Sequence, residues 1–223
     1  MKDSQGLRGL TQNPITLSSM WLLILGISCL TLVSPALAHH PMGGETPNNF
    51  MTGLLSGLGH PVIGIDHLVF VVALGLLAVL SNRYALMIPG SFVAATILGT
   101  VIQLQALDLP VVEVVISASV MLAGILLAKS KVSNINVLVS MVAIAGIFHG
   151  YAYGETIVGA ETTALGAYLL GFALIQLVIS FGVYTLGRSL FPVTNNTPNL
   201  PLRFAGFTIA GIGLAFLSNT ILG

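Results

Sequence analysis

"HPVIGIDHLVFVVALGLLAVL" covers residues 60–80, and its reading decides the fold. From Leu68 to Leu80 no polar side chain interrupts it. At its head stand three titratable groups, His60, Asp66 and His67. A helix needs about 20 predominantly apolar residues to cross a bilayer. An aspartate at the centre of such a helix costs about 2.5–3.5 kcal/mol on insertion scales. The stretch therefore reads as a membrane helix with functional groups at its mouth.

The rest of the chain agrees. Of its 223 residues, 55% are hydrophobic and 6% are charged, and the mean hydropathy is +0.99. A soluble domain carries about 25% charged residues. Six apolar stretches lie near 61–81, 84–104, 111–129, 134–152, 163–187 and 204–222. None alternates as a barrel strand would. The expected fold is an all-α integral membrane protein, a six-transmembrane-helix bundle, with short connectors that make sequential helices antiparallel neighbours. The Pro- and Asn-rich segment 189–201 reads as a loop.

The first residues have a different purpose. Lys2 and Arg8 precede the apolar core "MWLLILGISCLTLV" (20–33), and "SPALA" ends it at Ala38. This is the layout of a cleaved secretory signal peptide over 1–38. Cleavage removes Cys29, the one cysteine, so the mature chain has no thiol for a disulfide, a Cys-type zinc site or a nucleophile. His39 becomes the outer N-terminus. Residues 39–60 then read as an extracytoplasmic arm, and 61–223 as the membrane domain. Counting six spans from an outer start also places the C-terminus outside. Arg83, Lys129, Lys131, Arg188 and Arg203 are all the Lys and Arg of the mature chain. Each falls in a connector predicted to be cytoplasmic, as the positive-inside rule requires. Glu45, Asp108, Glu155 and Glu161 fall on the other side, and an acidic outer face raises the local concentration of cations.

No basic block or basic–aromatic interleaving is present, so nucleic acid is not an expected partner. No Walker motif is present, so the chain is not expected to use ATP. The polar residues in apolar surroundings are the candidates for function. His60 precedes Pro61, and pre-proline residues avoid the helical region. It is expected to cap a helix that begins at residue 61. His67 lies seven residues on, on the same face, about 10 Å away along a regular helix. The two histidines are then successive stations, or an irregular helix start brings them together. Asp66 points about 100° from His67. A second cluster, "FHGYAYGETIVGAE" (148–161), holds His149 and Glu155 at the outer end of its helix. A third is "HHPMGGE" (39–45), where the amino group and ring of His39, with His40, would chelate a metal. Imidazole and carboxylate without thiolate favour borderline divalent ions such as nickel, cobalt, copper or zinc. Histidine binds metal only when neutral, so activity is expected to fall below about pH 6.5, the unperturbed value.

His60, Pro61, Gly64, Asp66 and His67 resemble the His-Pro-x-x-Gly-x-Asp-His signature of the HupE/UreJ family of nickel and cobalt permeases. "FHGYAYGE", with His149, Gly150, Gly154 and Glu155, is similar to that family's second motif. The resemblance covers essentially the whole mature chain. It implies uptake of Ni²⁺ or Co²⁺ as a transported ion through the cytoplasmic membrane of a bacterium. It implies no enzyme activity and no prosthetic group, with the lipid bilayer and a possible cytoplasmic metal acceptor as further partners. On this reading His60, Asp66, His67, His149, Glu155, His39 and His40 are the metal-handling residues. Two other classes stay open from the residues themselves. One is a membrane-embedded zinc hydrolase, although no GxSxG or HExxH pattern is present. The other is a metal sensor or chaperone that does not transport.

Overall fold

The computed structural model describes residues 45–81, 84–132, 134–191 and 200–223. The predicted signal peptide, His39 and His40 lie outside the described residues. All regular structure among the described residues is helical. Seven helices follow in order: α1 (Phe50–Ile63), α2 (Ile65–Ser81), α3 (Met87–Leu104), α4 (Val112–Ala128), α5 (Ile135–Glu155), α6 (Thr162–Leu190) and α7 (Leu200–Leu222). The helices α3, α5, α6 and α7 are long and apolar enough to cross a membrane. A fifth span results if α1 and α2, bent by 78° at their junction, count as one. The remaining helix, α4, is apolar but only 17 residues long.

The start of the first span differs from expectation. Part of the arm expected over 39–60 is helical from Phe50 onward, and His60 lies inside a helix rather than capping one. The reason is the N-terminal cap. The Asn49 side chain accepts from the Thr52 amide at 3.0 Å, and the Thr52 hydroxyl oxygen accepts from the Asn49 amide at 3.1 Å. This reciprocal pair satisfies two of the amides that a helix start leaves unbonded. The helix then runs through Pro61, which cannot donate the next backbone hydrogen bond. It ends three residues later, where Gly64 takes an extended conformation (φ −69°, ψ 101°). Proline therefore weakens the end of α1 rather than marking the start of α2.

α2 forms the centre of the bundle. From Phe70 to Val79 nearly every residue is buried, so this helix is enclosed on all sides. α7 is the opposite case. Its buried residues, Leu202, Gly206, Ile209 and Gly213, form one stripe at helical spacing. Phe204, Phe207, Leu214 and Ile221 on its other faces are exposed. A helix apolar on every side yet buried along one stripe is suited to lipid contact.

The helices do not pair in sequence order, contrary to the expectation from short connectors. The largest interfaces join α3 to α5, α4 to α7 and α1 to α6. Glycines select these partners. A Cβ on Gly150 would strike the backbone carbonyl of Thr96, and one on Gly99 would strike that of Ile147. Going up α5, Gly146, Gly150 and Gly154 face the Phe92, Thr96 and Thr100 carbonyls in turn going up α3, so this pair is parallel. Thr100 donates to the Gly150 carbonyl at 2.8 Å across it. Gly124, Gly206 and Gly213 serve α4 and α7 in the same way, but antiparallel. Between apolar helices in lipid, close packing and interhelical hydrogen bonds drive association. Small residues therefore outweigh connector length in choosing neighbours.

Candidate functional site

Three histidines meet inside the bundle, and the break at Gly64 is what allows it. His60 lies in the last turn of α1 and His67 in the first turn of α2. Their ring centroids are 5.7 Å apart. On an unbroken helix the same residues would be about 10 Å apart. The irregular geometry, rather than the two-station one, is the observed arrangement. A Cβ on Gly64 would come within 2.6 Å of the His67 ring. Glycine at the break is thus also the room into which His67 packs.

His149 comes from α5. Its Nδ1 lies 2.8 Å from Nδ1 of His67, so the two rings share one hydrogen bond. The Ser119 hydroxyl of α4 lies 3.0 Å from His149 Nε2. The imidazole stacks on Phe70 at 4.6 Å between centroids and meets the edge of Phe92 at 5.5 Å. On the other side, Nδ1 of His60 lies 2.9 Å from the Thr156 hydroxyl and 3.2 Å from the Tyr168 hydroxyl. Tyr153 stands between the two branches, 5.0 Å from the His60 ring and 4.6 Å from His67. Its own hydroxyl is buried with no hydrogen-bond partner among the described residues. All three histidines are fully buried.

The acids occupy different places. Asp66 is half-buried at the start of α2, where its Oδ1 accepts from the His67 amide at 2.8 Å. A carboxylate at a helix N-terminus also complements the helix dipole. Glu155 is exposed at the end of α5, and it is the neighbouring Thr156 that touches His60. Among the described residues, no group of three or more His, Cys, Asp and Glu side chains is arranged to hold a metal ion.

Ser119, Tyr153, Thr156, Tyr168 and the two phenylalanines were not legible as site residues in the sequence. Two of them carry a signal in retrospect. Tyr153 and Thr156 follow His149 by four and seven residues, the spacing of one helix face. Ser119 and Tyr168 come from helices whose neighbours only packing decides. The buried Gln176 of α6 donates to the Phe172 carbonyl at 2.9 Å along its own helix.

Depth along the bundle can be read from α4. Ser119 precedes Lys129 by ten residues, about 15 Å along the axis. At that far end Arg203 donates to the Ala128 carbonyl at 3.1 Å, closing α4 against α7. The histidines and these basic residues therefore stand at different depths.

The family model described as HupE / UreJ protein matches residues 27–216. Protein HupE of Rhizobium leguminosarum bv. viciae is 29% identical over 188 residues, which covers 83% of this chain and 93% of that relative. No solved structure matches the chain.

Proposed function

The chain belongs to the HupE/UreJ family, and from that premise we propose that it takes up a divalent transition-metal cation, nickel or cobalt, across the cytoplasmic membrane. The observation that carries this reading is the convergence of His60, His67 and His149 from three helices at one buried point. Ionisable groups within a membrane bundle are costly and mark ion pathways by default. Neutral imidazole suits nickel and cobalt. A pore or permease site must bind well enough to admit an ion and weakly enough to release it. A few imidazoles without a closed cage of ligands meet that need.

In this proposal α1 and α2 act as one broken span, and α4 completes a six-span bundle. A cleaved signal peptide puts both mature termini outside. The basic connectors then lie inside, and the histidines lie in the outer half. His39, His40 and Glu155 gather cations at the entrance, while Asp66 holds the start of α2 beside His67. The metal is cargo, and the protein needs no prosthetic group.

Uptake of radioactive Ni²⁺ or Co²⁺ into proteoliposomes containing the purified full chain tests the reading. Accumulation above protein-free liposomes is expected for at least one of the two ions. Binding without accumulation would make the chain a sensor or chaperone instead.

A further inference from the structure

We infer that Ser119 and Tyr168 are positioning residues that fix the tautomers of His67 and His60, so that both rings present Nε2 as the lone-pair nitrogen. The inference rests on the transport reading for its consequence, the presentation of nitrogens to a cation. Its geometry stands by itself.

A serine hydroxyl has one proton to donate. The Ser119 proton goes to the Ile116 carbonyl, 2.7 Å away. Toward His149 Nε2, at 3.0 Å, the same oxygen can only accept. His149 therefore carries its proton on Nε2 when neutral, and its Nδ1 is an acceptor. The 2.8 Å bond between the two Nδ1 atoms then takes its hydrogen from His67. With Nδ1 protonated, neutral His67 has its lone pair on Nε2. A choice made by a serine on α4 is passed through one imidazole to another.

The second branch repeats the logic with different residues. The Tyr168 proton goes to the Tyr153 carbonyl at 2.7 Å. Its oxygen faces His60 Nδ1 at 3.2 Å and can only accept there. Thr156, 2.9 Å from the same nitrogen, offers a second acceptor oxygen. His60 thus holds its proton on Nδ1 and its lone pair on Nε2. In both branches a hydroxyl committed to a backbone carbonyl orients an imidazole, as outer partners orient metal-binding histidines elsewhere. His149 then has neither nitrogen available as a ligand. It acts through His67 and belongs with Ser119 among the positioning residues.

The test reads the tautomers directly. The full chain, labelled with ¹⁵N-histidine, is reconstituted in lipid nanodiscs and stripped of metal. Long-range ¹H–¹⁵N spectra are assigned with single His→Gln variants. The expected result is Nδ1–H on His60 and His67 and Nε2–H on His149. Ser119→Ala is expected to let the His149 proton move to Nδ1, which reverses the bond and moves the His67 proton to Nε2. Ser119→Thr keeps a hydroxyl and is expected to keep the wild-type pattern. Titration with Co²⁺ alone is expected to show about a tenfold weaker affinity for Ser119→Ala, restored in Ser119→Thr. Nε2–H on His67 in the wild type, or an unchanged pattern in Ser119→Ala, would overturn the inference. These spectra need no transport. Wild-type tautomers as stated with no ion uptake would remove the transport reading and leave this one standing. Reversed tautomers with normal uptake would do the opposite.

Discussion

The molecule has two cores of different chemistry. One surrounds α2 and consists of Leu74, Leu77, Val79, Ile88, Val120 and Leu127 with their neighbours. The other is small and aromatic, built from Tyr153, Ile157, Tyr168 and Phe172, with His60 and His67 against its edges. His149 stands where they meet, stacked on Phe70 from the first core and bonded to His67 beside the second. The side chains of the apolar core carry no hydrogen-bonding groups, so volume and shape decide its packing. The aromatic core fixes the orientation of individual atoms, because hydroxyls and imidazoles bond only along set directions. One region packs the centre of the bundle, and the other holds His60 and His67 in fixed orientations.

Substitutions can break this division. The largest expected effect comes from His67→Ala or His149→Ala, each of which should reduce ion uptake to the protein-free background while the helical content is retained. Proteoliposome uptake with circular dichroism on the same sample checks both halves of that statement. Gly150→Val comes next and should damage both regions together. Its side chain would enter the Thr96 backbone, part α3 from α5 and displace the adjacent His149. Detergent-resistance and Co²⁺ binding should fall in parallel. Leu74→Ala confines the damage to the apolar core, with a stability loss of about 2–5 kcal/mol by reversible unfolding and unchanged uptake per folded molecule.

Gly64→Ala is smaller and sharper. The added methyl would crowd the His67 ring, so Co²⁺ affinity should drop by about tenfold with little change in melting temperature. The smallest effect belongs to Glu155→Gln. This residue is exposed outside the histidine cluster, so its loss should slow uptake by about twofold at low ionic strength and not at all in high salt. A salt-independent loss would move Glu155 into the site itself.

Some of this was readable from the residues. His60, His67 and His149 stand out because titratable groups in apolar runs are costly, and they do meet. Pro61 is the misleading residue. It suggested a helix start at residue 61, whereas the Asn49–Thr52 cap starts the helix eleven residues earlier. Connector length misled in the same way about neighbours, since α3 pairs with α5 across the intervening α4.

The sequence by itself determined the family, the helical character of the chain and the three histidines that stand out in apolar runs. These follow from local quantities, namely run length, hydropathy and the cost of a polar group in an apolar stretch. Only the tertiary structure decided that His60 and His67 face each other across a break and that a serine on α4 reaches His149. It also decided which glycine faces which backbone. Such contacts depend on atoms far apart in the chain, and directional bonds and close packing select them only once the helices are in place.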